Sequence, residues 1–160
     1  MIQTQWNDFH SALMFSMQKE VTLMRDLLTN LHQEELSLLM HDRNSWNQLM
    51  EERAGIIQRL GSWRLARMEA VKKLLPGRVQ KEAPLEEILP SQDENSCEVL
   101  SLRDQIMALA ERMNRQNSRN MTLSHQVENH LDLPPIQRHY ASAAPQKKKR
   151  ASVITYPFNE

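Results

Sequence analysis

Glycine, cysteine and aromatic residues are scarce in this chain of 160 residues. It has 3 glycines and 1 cysteine, and aromatic residues make up only 5% of it. Sandwiches, barrels and doubly wound sheets need tight turns and strands rich in β-branched or aromatic residues, so this composition argues against them. Leucine, methionine, glutamine, glutamate and arginine dominate instead, and they favour helix. The composition predicts an all-α protein.

The single cysteine, Cys97, cannot form a disulfide within the chain, so a reducing compartment is the simplest setting. No run of about 18 apolar residues is present, so we expect no membrane span. The first residues, MIQTQWNDFHSALMF, lack the basic-then-apolar order of a signal peptide. We therefore predict a cytoplasmic protein.

The net charge of the chain is zero, but the charged residues form consecutive blocks in which one sign predominates. Residues 1–52 carry 3 basic and 8 acidic groups, residues 53–81 carry 8 and 1, and residues 82–104 carry 1 and 7. Such alternation can select which helical segments pack side by side. This charge pattern gives no net basic face of the kind that nucleic-acid-binding proteins usually carry, so nucleic acid is not a predicted partner.

The first 75 residues contain no proline, and a three-four apolar rhythm predicts a long helical segment over 3–75. The apolar stripe of this segment runs through Met17, Val21, Met24, Leu28 and Leu31 and then drifts to Leu39, Trp46, Ile56, Ile57 and Leu60. Unbroken, this helix would be on the order of 100 Å long at about 1.5 Å per residue, so we expect a bend at Gly55 or Gly61. A connector over 76–96 follows, with a short helix at 84–89 between two prolines, and then a helix over 97–132. We predict one elongated antiparallel helical bundle or hairpin over 1–133 and a disordered tail over 134–160.

The last predicted helix has an interrupted apolar stripe. The stripe begins as Val99, Leu102, Ile106, Leu109 and Met113, reaches Gln116 and Asn120, and becomes apolar again at Leu123 and Val127. Polar residues on a helix seam can fix the register of packing. Alternatively, the bundle ends near Met113 and a separate amphipathic arm offers Leu123, Val127 and Leu131 to a partner. We expect the second arrangement.

Catalytic and metal-binding signatures are not found in the sequence. His125 and His130 are five residues apart, which is not the spacing of a zinc-binding helix, and no phosphate loop or nucleophile motif occurs. We predict no catalytic residue, no metal and no cofactor, and therefore not an enzyme.

Three further segments are distinctive: the asparagine-rich stretch MNRQNSRNMTL at 113–123, the proline-bounded PLEEILP at 84–90, and EERAGIIQRL at 51–60. Together they resemble segments of the FlgN-type export chaperones of flagellar and type III secretion systems. The resemblance implies a cytosolic chaperone that holds the helical C-terminal region of a hook-filament or secreted protein unassembled and delivers it to the export ATPase or gate. The predicted partner-binding residues are Asn117, Met121, Leu123, Val127 and Leu131, with Ile154, Tyr156 and Phe158 of the tail.

Two other functions remain open at this point. A structural coiled-coil or scaffold protein of a secretion system would dimerise through the apolar stripe of residues 13–50. A nuclear adaptor would use the basic run at 147–150. In the chaperone hypothesis the chain is a monomer or weak homodimer with a protein client.

Overall fold

Three α-helices make up the described part of the chain. A computed structural model describes residues 2–74 and 94–131, with α1 at Ile2–Leu39, α2 at Arg43–Leu74 and α3 at Glu94–Leu131. No strand occurs in these two stretches, which confirms the all-α prediction. The predicted short helix at 84–89 and the tail at 134–160 lie outside the described residues.

Helix α1 is the centre of the bundle, because α2 and α3 both pack along it and approach each other little. Arg53 meets Glu34 and Arg67 meets Glu20, so α2 runs antiparallel to α1. Contacts from α1 to α3 advance together along both helices, from Gln18 with Glu98 to Arg25 with Gln105. Helix α3 is therefore parallel to α1.

The core consists of one stripe from each helix. The stripes predicted from the sequence are confirmed in α1 and in the first half of α3, where the side chains are buried. Leu39 and Ile57 were also expected on the stripe of the first segment, but they are more than half exposed. The confirmed core positions are Met17, Val21, Met24, Leu28, Leu31, Val99, Leu102, Ile106, Leu109 and Met113.

The expected interruption of the first long segment is at residues 40–42, so the predicted bend at Gly55 or Gly61 is wrong. His41 adopts the left-handed conformation, with φ of 56°. Its N–H donates to the Leu38 carbonyl at 3.2 Å, and the N–H of Asp42 donates to the Ser37 carbonyl at 2.9 Å. These two bonds form the Schellman motif that ends a helix.

Asp42 ends one helix and begins the next. Its carboxylate accepts from the backbone N–H of Asn44 and Ser45, and from the Ser45 hydroxyl at 2.6 Å. This is the N-cap arrangement that satisfies the free N–H groups of a helix start. The bonds from Ser45, followed by the one from Asn44, lower the pKa of Asp42 below its ordinary value.

Gly55 and Gly61 lie inside α2 rather than at its ends. Neither has any atom within 4 Å of the place where a Cβ would stand. A glycine in a helix interior costs roughly 0.5–1 kcal/mol relative to alanine because its backbone loses more freedom on folding.

We therefore expect Gly55→Ala to raise the free energy of unfolding by about 0.5–1 kcal/mol, measured by urea denaturation. The matched control is Gly55→Pro, which should lower it by about 3 kcal/mol because the ring removes a helix hydrogen bond. A neutral or destabilising alanine would show that Gly55 is not in a regular helix.

Helix α3 begins at Glu94, earlier than the predicted start at Cys97. Asn95 and Ser96, which the sequence assigns to the connector, therefore lie within the helix. Ser96 is buried and Cys97 is exposed.

Candidate partner-binding surface and its polar support

The predicted partner-binding residues of α3 do not share one face. Asn117, Met121, Leu123 and Val127 are all half-buried. Met121 and Leu123 are two residues apart, so they point about 200° away from each other around the helix. Leu131 is the last residue of α3 and its side chain is not described, and Ile154, Tyr156 and Phe158 lie outside the described residues.

The polar interruption of the α3 stripe lies inside the bundle, so the expectation that the bundle ends near Met113 is wrong. Gln116, Asn120 and Ser124 are buried. Gln116 donates to the Glu35 carboxylate at 2.8 Å and to the Asn120 side chain at 2.9 Å. Since these amides find partners on α1, the second half of α3 packs as bundle rather than as a separate arm.

Asn120 connects α3 to the middle of α1. Its Nδ2 donates to the Leu31 carbonyl and to Glu34 Oε2, both at 2.7 Å, and Asn120 is fully buried. A buried amide of this kind tolerates only the alignment that satisfies it. The structure therefore fits the first interpretation of these polar residues, in which they fix the register of α3 on α1, and not the second, in which a separate arm follows Met113.

Glu34 is the meeting point of the three helices. Its side chain is fully buried, and Arg53 of α2 donates to Oε2 at 2.7 Å. The indole N–H of Trp46, also from α2, donates to Oε1 at 3.3 Å, and Asn120 supplies the donor from α3. A buried carboxylate needs several such donors to offset its desolvation.

Asn30 extends this network along α1. Its Oδ1 accepts from Arg53 Nε at 2.8 Å, and its Nδ2 donates to the Leu49 carbonyl at 3.0 Å. The Arg53 guanidinium is thereby held between Asn30 and Glu34. The network fixes α2 and α3 on α1 at the end of the bundle where the α1–α2 turn lies.

An apolar surface adjoins this network at the α1–α2 turn. Leu36, Leu39 and Met40 are 59%, 56% and 77% exposed. Glu35 forms an ion pair with Arg119 at 2.7 Å. Leu39 and Leu123 lie one turn beyond these two residues on parallel helices, which places both at the turn end of the bundle. We name this surface the turn-end patch, with members Leu36, Leu39, Met40, Leu123 and Val127.

The α1 part of the turn-end patch is not evident from the sequence. Leu36 and Met40 received no role, and Leu39 was assigned to the core. The sequence signal for a helix end at this point is Asp42, a strong capping residue that follows Leu39, Met40 and His41. A helix end there leaves the last apolar residues of α1 without a covering neighbour.

A cleft opens beside the turn-end patch, between α1 and α2. Its volume is about 370 Å³. Because polar side chains share its lining with Leu36 and Leu49, it suits an apolar side chain flanked by hydrogen-bonding groups. The lining residues are Gln33, Leu36, Ser37, Ser45, Gln48, Leu49 and Glu52.

A second buried ion pair lies further along α1, away from the turn. Glu20 Oε1 accepts from Arg67 Nε at 2.6 Å, and Arg64 Nε lies 4.0 Å from Oε2. The side chain of Glu20 is fully buried and that of Arg67 is 3% exposed. Burial raises the pKa of Glu20 above 4.5, and its two arginine neighbours oppose that rise.

Two properties of the described residues bear on metal binding and on membrane insertion. Across 2–74 and 94–131, no group of three or more histidine, cysteine or acidic side chains is arranged to hold a metal ion. Within the same stretches, no helix is long and apolar enough to cross a membrane.

Comparison with known proteins gives no relative. No protein-family model matches the chain, and neither a curated protein nor a solved structure matches it.

Proposed function

We propose that this chain is a cytoplasmic export chaperone of the FlgN type. It binds the helical C-terminal region of a hook-filament or other secreted subunit, keeps that region unassembled and delivers it to the export ATPase or gate. The proposal rests on the motif resemblance of residues 113–123, 84–90 and 51–60. The observation that supports it most directly is the turn-end patch, an exposed apolar surface next to the asparagine-rich segment of α3.

The mechanism is capture of an amphipathic helix. The client's apolar stripe covers Leu36, Leu39 and Leu123, which replaces the contacts that the client makes after assembly. Burying a leucine side chain contributes about 1.5–3 kcal/mol before the cost of ordering the client. The Glu34 network holds α1 and α3 in fixed alignment, so the two halves of the patch are already in place before binding.

The rigid support also explains why polar residues lie on the α3 seam. Asn120 and Gln116 set the position of α3 along α1 and thereby the separation of Leu123 from Leu39. A purely apolar seam would tolerate other alignments. The coiled-coil alternative has less support, because most of the stripe it needs for dimerisation is buried within the bundle.

The test uses a labelled peptide that spans the C-terminal helical region of a hook-filament junction subunit from the same organism. We expect the full chain to bind it, and Leu39→Ser/Leu123→Ser to weaken the Kd at least about tenfold, measured by fluorescence anisotropy. The matched control is Met107→Ser, which changes a 46% exposed side chain of α3 elsewhere. Equal binding by both variants, or no binding by the native chain, would contradict the proposal.

A further inference from the structure

Helix α2 carries a second stripe that the bundle does not use. Its core face consists of Ile56, Leu60, Arg67 and Val71, which are buried. Beside that face lies the α2 outer stripe, which we define as Ala54, Ile57, Gly61, Leu65 and Met68. All five are exposed, and Ile57 and Leu65 are exposed by 52% and 64%.

The α2 outer stripe has the same residue spacing in either direction from Gly61. Ile57 and Leu65 are each four residues from this glycine, and Ala54 and Met68 are each seven residues from it. Steps of three and four keep all five residues on one side of the helix. A two-fold interface requires such self-complementarity, because each residue must meet the symmetry mate of another residue on the same surface.

Gly61 suits the centre of a close helix crossing. Apart from the helix's own nearby backbone, no atom lies within 4 Å of the place where its Cβ would stand, so this side of the helix is open to the outside. Two helices that cross at glycine can approach more closely than helices that cross at larger side chains. The larger Ile57 and Leu65 then fill the space on either side of the crossing.

Charge also matches along α2 when a second copy is laid antiparallel to it. Glu51 precedes Gly61 by ten residues and Lys72 follows it by eleven, so each glutamate falls beside the lysine of the other copy. Both residues are exposed. Within the described residues Lys72 pairs with Glu69, at 3.2 Å on the surface, and such a pair contributes little. A parallel arrangement would place like charges together.

We propose that the α2 outer stripe is the interface of a homodimer, in which two copies of α2 cross antiparallel around a two-fold axis at Gly61. The dimer goes beyond the proposed chaperone function and does not depend on it. The axis lies 18 residues from the start of α2, about 27 Å along the helix from the α1–α2 turn.

The first test is disulfide trapping in full-length protein that carries Cys97→Ser. We expect Gly61→Cys to form a covalent dimer on mild oxidation, because position 61 meets its own symmetry mate at the axis. The matched control is Gly55→Cys, which is also exposed on α2 but points about 120° away. Equal trapping at both positions, or none at position 61, would overturn the proposal.

The second test separates dimerisation from folding. Gly61→Gln and Gly55→Gln both replace an exposed helical glycine by a better helix former, so both variants should fold, which circular dichroism checks. In sedimentation equilibrium we expect the native chain and Gly55→Gln to dimerise, and Gly61→Gln to raise the dimer dissociation constant at least about tenfold. A native chain that is monomeric across micromolar concentrations, or a Gly61→Gln variant that dimerises like the native chain, contradicts the interface.

Discussion

Replacing Arg67 by methionine is expected to lower the free energy of unfolding by about 3–5 kcal/mol at neutral pH. Methionine keeps an unbranched apolar stem but removes the charge that lies 2.6 Å from the Glu20 carboxylate. The carboxylate is fully buried, so solvent cannot replace its partner. Arg64, at 4.0 Å, is too far to restore the lost hydrogen bond without moving. Urea denaturation of the native chain and the variant measures the difference.

The double variant Glu20→Met/Arg67→Met is the control. It removes both charges and fills the site with apolar atoms, so it should recover most of the loss or exceed the native stability. It should also change the response to pH. Burial raises the pKa of Glu20, so its contribution to stability is fully present below pH 4.5 and is lost as the pH rises through the folded pKa. A double variant as unstable as Arg67→Met would show that the pair does not act as a unit.

The α1–α2 turn shows why the position of the helix break was not predicted from the sequence. Glycine in a helix interior lowers helix stability on average, and for this reason the sequence predicts a bend at Gly55 or Gly61. Both face open space, where α2 continues through them at modest cost. The real break uses His41 in the left-handed conformation and Asp42 as a cap. A histidine there is uncommon, because non-glycine residues rarely adopt positive φ.

The buried charges were missed because apolar periodicity does not distinguish a seam charge from a surface charge. Glu20 and Glu34 stand two heptads apart in α1, and Arg53 and Arg67 stand two heptads apart in α2. In antiparallel helices this spacing pairs Glu20 with Arg67 and Glu34 with Arg53, as observed. Matched spacing of opposite charges was the signal that could have found them. Sliding α2 by one heptad would bury every one of these charges without its partner.

The candidate site was only partly predictable for a related reason. The apolar residues Leu123 and Val127 follow from the spacing of α3 alone. The other members of the patch, Leu36 and Leu39, come from a different helix, and they reach the same end of the bundle only through the parallel register that Glu35 and Arg119 mark. A single sequence gives the periodicity of each helix but not the alignment of two helices. That alignment depends on the buried polar contacts.

Replacing Arg53 by methionine is expected to lower the free energy of unfolding by about 3–5 kcal/mol as well, but for a different structural reason. Arg53 donates to Asn30 and to the fully buried Glu34, which also receives donors from Trp46 and Asn120. The loss therefore affects all three helices. We expect Arg53→Met to lower the denaturant midpoint and also to weaken client peptide binding at the turn-end patch.

The paired variant Glu34→Leu/Arg53→Met should not recover, in contrast to the Glu20 and Arg67 pair. Removing Glu34 leaves the indole N–H of Trp46 without its acceptor and takes one of the two acceptors of the Asn120 amide. Each buried donor left unsatisfied costs about 1–3 kcal/mol. Adding Trp46→Phe and Asn120→Leu removes both donors, so this fourfold variant should regain stability while losing the contacts that fix α3 on α1. If the paired variant alone regained the free energy of unfolding, Glu34 would stabilise only the packing of α2, and the apolar stripe of α3 would be what aligns α3 on α1.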